Sequence, residues 1–303
     1  MPKTLLLIDA SALIYRFFYA LPPLTTPRGE PIGAIYGLCG ILLKILSLSK
    51  DNQPPDYIAA AFDRPEKTFR EEEFKEYKIH RPPTKPELLS QIKRMYEVFE
   101  NFGITIVEKP GFEADDLIGA LAEKFKQSSE LAEGKIIILS GDLDVLQLVE
   151  DEKVLAQMTK IGISETQIYD EKAVEARFGI KPSQLPDYKG LVGDPSDNIP
   201  GVKGVGPKTA APLIKEFGSV EGIFENLGLI ESKIAKKLQN QKEIALLSKK
   251  LATIRRDAPI DAKSLSDLVI KPLDKDKLTK YFEELGFRTL VERLTSAITS
   301  LQT

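Results

Sequence analysis

Apolar and polar positions along the first half of the chain fall into alternating blocks. Short apolar runs, typical of buried strands, are followed by stretches with apolar residues three or four positions apart, typical of amphipathic helices. The predicted strands are 4–9, 57–63, 104–107 and 136–140, and the predicted helices are 12–20, 33–49, 87–102 and 114–127. This alternation predicts an α/β fold, with a mainly parallel sheet and helices on both faces.

The pattern changes after about residue 170. Strand-like runs disappear, and short helical patterns joined by glycine-rich turns take their place. We therefore place a boundary near 168–172 and predict an α/β domain at 1–170 and an all-α domain at 171–303.

Acidic residues follow several of the predicted strands. Asp9 and Asp63 close two strands, and Asp142 follows a third. The full set is Asp9, Asp63, Glu113, Asp115, Asp116, Asp142, Asp144, Asp194 and Asp197. Because the carboxyl ends of parallel strands form the ligand crevice of an open sheet, we expect these acids to converge. Carboxylates so close together repel unless protons or cations neutralise them, and Mg²⁺ or Mn²⁺ is the natural partner.

Composition and charge narrow the class of protein. The chain has 303 residues, of which 42% are hydrophobic and 29% charged, as in a soluble globular protein, and no apolar run is long enough to span a membrane. A lone Cys39, expected to be a core residue, and a lone His80 exclude a Cys/His zinc site and fit a reducing cytoplasm. The net charge of −3 argues against nucleic acid, unless the acids are clustered and cation-bound.

The turn between two helical patterns at 198–210 is rich in glycine. Gly201, Gly204 and Gly206 allow close approach of the backbone to a ligand, and the following helix start and Lys208 favour a phosphate. An ordinary tight turn between helices explains the glycines equally well. The acidic residues 194–197 directly upstream favour a clamp on the phosphates of a nucleic-acid strand.

Residues 64–86 carry alternating acidic and basic side chains. A solvated helical face is one interpretation. Because the segment follows Asp63, it should hang over the crevice, where Lys78 and Arg81 would stabilise charge on a phosphate. Tyr15 and Phe18, just past Asp9, would offer rings to a base, although core packing is the alternative for both.

Several motifs resemble a known family. They are the sequences at 9–16, 25–31, 77–84 (YKIHRPPT), 113–116 (EADD) and 193–206 (GDPSDNIPGVKGVG). Together they are similar to the 5′-nuclease domain of bacterial DNA polymerase I, within the flap endonuclease superfamily, from residue 3 to about 290. The resemblance implies a PIN-like (resolvase-like) catalytic domain with a helical arch at about 64–100, followed by a helix–hairpin–helix (SAM-like) domain that binds duplex DNA.

The resemblance also implies roles for residues of this chain. One metal would be held mainly by Asp9, Asp63, Glu113 and Asp115, and a second mainly by Asp115, Asp142, Asp144 and Asp197, with Asp116 and Asp194 acting through water. The catalytic residues would be Lys78, Arg81 and the stacking residue Tyr15. The DNA contacts would be Arg16, Phe18, Arg70, Gly201, Lys203, Gly204, Gly206 and Lys208. The hairpin would also hold a monovalent cation such as K⁺.

The implied function is two-metal hydrolysis of DNA phosphodiester bonds, with Mg²⁺ as cofactor and Mn²⁺ as substitute. Expected substrates are 5′ flaps, nicks, gaps and RNA primers on DNA. A monomer in the bacterial cytoplasm, associated with the nucleoid, is expected, and a polymerase domain could follow Thr303. Leu143 departs from the family, which usually has a basic residue there. A non-catalytic DNA-structure binder and a hydrolase of small phosphate esters are the alternatives, but the complete acid set favours a nuclease.

Overall fold

The computed structural model describes residues 2–46, 54–159 and 166–299. Its strands are β1 (Thr4–Asp9), β2 (Tyr57–Phe62), β3 (Thr105–Glu108), β4 (Lys135–Ser140), β5 (Val154–Thr159) and β6 (Thr166–Tyr169). Within these ranges they form one six-stranded sheet in the order β3-β2-β1-β4-β5-β6. Strands β1 to β5 are parallel, and β6 runs antiparallel to β5. The predicted mainly parallel sheet is confirmed.

The sheet extends from the central strand β1 on both sides. On one side β1 pairs with β2, with Asp9 opposite Ala61, and on the other it pairs with β4, with Ile8 opposite Leu139. The carboxyl ends of β1, β2 and β4 therefore flank a topological switch point, which is where open α/β sheets form their ligand crevice.

Helices cover the sheet and form the second half of the chain. The α-helices are α1 (Ala10–Ala20), α2 (Gly33–Leu46), α3 (Phe69–Glu73), α4 (Pro86–Asn101), α5 (Ala114–Phe125), α6 (Glu171–Phe178), α7 (Leu185–Val192), α8 (Pro207–Phe217), α9 (Val220–Glu225), α10 (Ser232–Leu238), α11 (Lys242–Ala252), α12 (Lys275–Glu284) and α13 (Arg288–Thr299). Short 3₁₀ helices lie at Ser129–Leu131, Leu143–Leu148, Pro182–Gln184, Leu227–Leu229 and Leu265–Leu268. The predicted helices and the all-α second half are confirmed, and positions 47–49 of the second predicted helix lie outside the described residues.

Side chains of β1 alternate between two apolar layers. Leu5 and Leu7 face the layer that contains α5 and continues into α6 to α11, whereas Leu6 and Ile8 face the layer that contains α1, α2 and α4. Helices α12 and α13 return to this second layer through Phe282 and Leu290. Because both faces are covered, β2 is buried at every position, as is typical of parallel sheets.

The charged segment after β2 is not a continuous helix. Only the five residues of α3 are helical before α4 begins, and residues 74–85 run through turns and irregular backbone. Lys78 has a positive φ of 55°, and its N–H donates to the carbonyl of Asp197 (2.9 Å). Lys78 and Arg81 therefore do not share a helical face.

Strands β5 and β6 were not predicted. β5 (VLAQMT) has no continuous apolar run, and the four residues of β6 form an edge strand with Ile168 exposed. Their hydrophobic signal is weak because polar Gln157 interrupts the apolar residues of β5, and β6 has only four residues at the edge of the sheet.

Cys39 of α2 is fully buried, which confirms it as a core residue. None of the helices in the three described ranges is both long and apolar enough to cross a membrane.

The turn between α7 and α8 depends on glycine at a close backbone contact. Gly201 has a φ of 62°, and a Cβ there would overlap the backbone of Gly193 and Val192. A Cβ at Gly206, the N-cap of α8, would instead meet no atom within 4 Å.

We predict that Gly201→Ala lowers the free energy of unfolding by about 2–4 kcal/mol, from left-handed strain and overpacking. Gly206→Ala should lower it by less than about 1 kcal/mol, because only a cap preference is lost. Urea unfolding of both variants measures the difference. Equal losses would show that the turn tolerates a side chain at Gly201.

Candidate active site

A cleft of about 1200 Å³ opens at the carboxyl ends of β1, β2 and β4. Within the part of the chain that the structure describes, seven carboxylates line it, namely Asp9, Asp63, Glu113, Asp115, Asp142, Asp144 and Asp194. The switch point of the sheet brings these residues together from distant parts of the sequence. Asp197 lies beside the cleft and contacts its basic residues.

Asp9 ends β1 and caps α1, and its carboxylate is held on both sides. Oδ1 accepts a hydrogen bond from Ala12 N (2.9 Å), and Oδ2 accepts one from Ser140 Oγ (2.7 Å). Burial, with repulsion from Asp63 and Asp142, raises the pKa of Asp9 to about 7. These acids therefore interact as one electrostatic site.

Helix α5 begins at the cleft with Glu113 as its N-cap. Asp63, directly after β2, accepts a hydrogen bond from Ala114 N (2.7 Å), and its own N–H donates to Ser11 Oγ (2.8 Å). Burial in the cleft raises the pKa of Asp63, and repulsion from Glu113 adds a smaller increase. The α5 N-terminus thus fixes two acids side by side.

Asp115 presents a carboxylate oxygen without a donor. Its Oδ1 is buried, and none of the described residues donates a hydrogen bond to it. Burial raises the pKa of Asp115 well above its usual value, although the positive charge of Arg70 opposes the shift. A buried oxygen of this kind is unfavourable unless a proton or a cation satisfies it.

Lys189 of α7 bridges two acids on the other side of the cleft. Its Nζ contacts Asp144 Oδ1 and lies 2.6 Å from Asp194 Oδ2. Burial and repulsion from Asp142 raise the pKa of Asp144 to about 7 despite this contact. Burial also acts on Asp194, but Lys189 outweighs it, so the pKa of Asp194 falls.

Lys78 and Arg81 reach the cleft from the irregular segment 74–85. Lys78 Nζ lies 2.6 Å from Glu113 Oε1, and Arg81 Nη2 lies 2.5 Å from Asp197 Oδ1. The Tyr77 hydroxyl lies 3.2 Å from Glu113 Oε2 and 3.1 Å from Asp197 Oδ2. Glu113 and Asp197 therefore hold the side chains of Lys78 and Arg81 over the cleft, although segment 74–85 is not helical.

Asp116 and Arg70 do not belong to the cleft. Asp116 is fully buried, and four donors fill its acceptor positions: Arg70 Nη1 (2.7 Å) and Nη2 (2.9 Å), Glu113 N (3.1 Å) and Arg255 N (2.8 Å). Arg70 is 1% exposed. The predictions of Asp116 as a metal ligand and of Arg70 as a DNA contact are therefore wrong. The two residues form a buried ion pair that anchors the start of α5.

Helix α1 presents two tyrosines, one turn apart, to the cleft wall. Tyr15 Oη lies 2.8 Å from Thr84 Oγ1, and Tyr19 is 62% exposed, with the Lys85 ammonium 5.4 Å from its ring centre. Arg16 also lines the cleft. Phe18 is not among its described lining residues and packs partly against the core, so Tyr19 takes the place expected for Phe18.

The residues of the glycine-rich turn between α7 and α8, which we call the hairpin, differ in their exposure to solvent. Lys203, Gly204 and Lys208 are exposed, and Gly206 is half-buried. Gly201 is buried, and its N–H donates to Ser248 Oγ (3.0 Å). The prediction of Gly201 as a DNA contact is therefore wrong, because this glycine shapes the turn from inside.

Sequence analysis missed Lys189, Tyr77, Ser140 and Tyr19. Tyr77 and Ser140 carried a usable signal, since one precedes Lys78 and the other is a polar residue at the end of a predicted strand. Lys189 carried none, because a single lysine five residues before Asp194 looks like any surface lysine.

The donor set fits hard divalent cations. It consists of carboxylate oxygens, and the buried Asp115 Oδ1 has no hydrogen-bond donor among the described residues. As they stand in the described ranges, no three Asp, Glu, His or Cys side chains are grouped so that they could hold a metal ion. Lys78, Arg81 and Lys189 instead neutralise part of the set.

Two family models match the chain in succession. One, described as the N-terminal resolvase-like domain of 5′-3′ exonuclease, matches residues 4–179, and the other, described as its C-terminal SAM fold, matches residues 180–276. The chain belongs to the 5′-3′ exonuclease family. The resemblance noted from the motifs is thereby confirmed.

Relatives of this exonuclease family include stand-alone and longer proteins. A 5′-3′ exonuclease of Aquifex aeolicus is 39% identical over 292 residues, which are 96% of this chain and 95% of the relative. The DNA polymerase I of Caldicellulosiruptor bescii is 42% identical over 291 residues, 96% of this chain and 33% of the relative. The chain spans about a third of the length of the curated DNA polymerase I relatives that it matches.

Solved structures share the fold of this chain. Bacteriophage T5 flap endonuclease, in a pseudo-enzyme–product complex with DNA and metal ions, has a TM-score of 0.64 and 19% identity over 99% of this chain and 100% of that chain. The catalytic core of Rad2 with a DNA substrate has a TM-score of 0.63 and 19% identity over 98% of this chain and 92% of that chain. The chain therefore has the flap endonuclease architecture.

We predict that Asp116→Asn lowers the free energy of unfolding by about 3–5 kcal/mol, because it removes the carboxylate closest to the buried Arg70 guanidinium and leaves only the longer contact with Glu113 (3.4 Å). Asp257→Asn is the control: it breaks an ion pair with Arg255 in which the aspartate is 69% exposed, and should leave the free energy of unfolding almost unchanged. Urea unfolding measures both. Similar losses would contradict the anchoring role of Asp116.

Without divalent metal, stability should fall as pH rises. The folded-state pKa values of Asp9 and Asp144 are about 7, above the unfolded value of about 3.9, so the folded chain binds more protons than the unfolded chain between these limits. We expect the unfolding temperature in EDTA to decrease from about pH 5 to about pH 8. Asp9→Asn should make this decrease smaller, and an unchanged slope would show that Asp9 does not titrate in this range.

Proposed function

We propose that this chain is a metal-dependent nuclease that hydrolyses DNA phosphodiester bonds, as a 5′-3′ exonuclease and 5′-flap endonuclease. The observation that carries the proposal is the convergence of seven carboxylates on one cleft, with a buried oxygen of Asp115 left without a donor. Membership of the 5′-3′ exonuclease family supports it. The seven carboxylates that remain in the cleft favour catalysis over a purely DNA-binding role.

Two neighbouring groups of acids would each hold one Mg²⁺, or Mn²⁺ in its place. Asp9, Asp63, Glu113 and Asp115 would hold one ion, and Asp115, Asp142, Asp144 and Asp197 the other, with Asp194 acting through water. When bound, such ions supply Lewis acidity that activates the attacking water and stabilises the leaving oxygen.

The cleft also contains the cations and rings that a nucleotide substrate needs. Lys78 and Arg81 lie beside Glu113 and Asp197, from which they can turn to a scissile phosphate and stabilise its developing charge. Tyr15 and Tyr19 offer rings on which a base can stack, and Arg16 adds charge near them. Loss of Lys78 would therefore affect the transition state more than DNA binding.

The hairpin between α7 and α8 would grip the duplex at a distance from the cleft. Lys203 and Lys208 are exposed beside the exposed backbone of Gly204, and α8 begins directly after Gly206. This arrangement suits the phosphates of one strand, read without sequence preference, and a bound K⁺ would add to it.

The substrates would be DNA with a 5′ flap, nick or gap, and RNA primers on DNA. The chain would act as a monomer in the bacterial cytoplasm near the nucleoid, by itself or joined to a polymerase domain. The small-ester hydrolase is not favoured, since a small substrate gains nothing from a remote hairpin.

A labelled 5′-flap DNA tests the proposal. We expect cleavage with Mg²⁺, none with EDTA, and a loss of at least about 100-fold in rate for Asp115→Asn, with DNA binding in Ca²⁺ retained. Asp261→Asn is the control, since Asp261 is 88% exposed and pairs only loosely with Lys109 (3.4 Å). Cleavage by Asp115→Asn at the rate of the control would remove Asp115 from the site, and no cleavage by the unmodified chain would refute the function.

A further inference from the structure

The backbone at the C-terminal end of α11 and just after it contacts Gln147, which lines the acidic cleft. We call residues 251–255 the strap. Leu251 and Ala252 are buried at the C-terminal end of α11, where helix carbonyls lack partners within the helix. Because these buried groups cannot use water, side chains from elsewhere must satisfy them.

Two side chains hold the strap from opposite sides. Arg70 donates through Nε to the carbonyl of Leu251 (2.8 Å) and through Nη2 to that of Thr253 (2.9 Å). Gln147 donates through Nε2 to the carbonyl of Ala252 (3.0 Å), and its Oε1 accepts from Ile254 N (2.9 Å). Asp116 then accepts from Arg255 N (2.8 Å).

The partners of the strap come from the elements that carry the cleft residues. Gln147 lies on the 3₁₀ helix Leu143–Leu148, which carries Asp144, and is 4% exposed where it lines the cleft. Arg70 lies on α3, at the start of the segment that carries Lys78 and Arg81. Asp116 lies on α5, next to Asp115.

Helix α11, which leads into the strap, also contacts the backbone of the hairpin. Ser248, fully buried on α11, accepts a hydrogen bond from Gly201 N (3.0 Å). Gln241, the N-cap residue of α11, accepts one from Lys203 N (2.9 Å). One short helix and the strap therefore connect the hairpin backbone with the supports of the acids.

We propose that Gln147 and Arg70 are positioning residues that fix the acid-bearing segments to the strap, and so set the distance between the duplex grip and the acidic cleft. This inference rests on the proposed nuclease function. Groups that orient ligand-bearing segments usually affect metal affinity as well as rate. A fixed distance from hairpin to cleft also fixes which phosphodiester bond is cut.

Gln147→Met tests the proposal, because it keeps the side-chain length and removes both hydrogen bonds. Gln91→Met is the matched control: Gln91 is 2% exposed, accepts from Ala34 N (2.8 Å) and donates to the carbonyl of Glu87 (3.1 Å), away from the cleft. Calorimetry measures Mn²⁺ binding without DNA, and a single-turnover assay measures the rate and the cut positions on a 5′-flap DNA.

We expect Gln147→Met to weaken Mn²⁺ binding and lower the single-turnover rate, each about tenfold, and to spread the cuts over neighbouring bonds, with DNA affinity in Ca²⁺ unchanged. Gln91→Met should lower the free energy of unfolding and leave Mn²⁺ binding, the single-turnover rate and the cut positions unchanged. Wild-type Mn²⁺ binding and cut positions in Gln147→Met would overturn the positioning role. If that variant does not fold, Arg70→Lys, which keeps the charge beside Asp116 and loses the fork to the strap, must give the same result.

The comparison separates the two proposals. If the unmodified chain binds Mn²⁺ without cutting the flap, the nuclease function fails, and the Mn²⁺ affinities of the two variants still decide the positioning role. If the unmodified chain does not bind Mn²⁺, both proposals fail.

Discussion

Repulsion among carboxylates in one cleft is the constraint that the surrounding structure has to meet. Burial and like charge raise the pKa values of Asp9, Asp63, Asp115 and Asp144, so full ionisation of the set opposes folding. Lys78, Arg81 and Lys189 relieve part of this repulsion from within the chain. Divalent cations would relieve the remainder, which links the stability of the fold to the chemistry that the acids perform.

A cleft under such repulsion needs rigid supports. The central sheet supplies them first, because β1, β2 and β4 end side by side and both faces are covered. The buried ion pair of Arg70 and Asp116 is a second support, because it anchors α5 directly beside Asp115. A buried ion pair of this kind offsets its desolvation only when its hydrogen bonds are complete, and here the strap and the α5 N-terminus complete them.

The sequence predicted the sheet and the gathering of acids, since a strand that ends in Asp9 or Asp63 shows both its burial and its chemistry. The sequence did not show that Asp116 lies outside the cleft, and the family resemblance placed it near a metal through water. Neighbours on a helix face different ways, and the ion pair with Arg70 holds Asp116 away from the cleft. The irregular backbone around Lys78 depends on a contact with Asp197, far along the chain, and the bridge by Lys189 depends on how the turn after α7 places Asp194. Strand β5 was missed because Gln157 interrupts its apolar residues, and β6 was too short and too exposed to predict.

Anomalous diffraction from crystals soaked in Mn²⁺ tests the central claim most directly. The account predicts two peaks about 4 Å apart in the cleft, bounded by Asp9, Asp115 and Asp144, with Asp115 in contact with both ions. Mn²⁺ bound elsewhere on the molecule, with these three carboxylates apart from any ion, would contradict it.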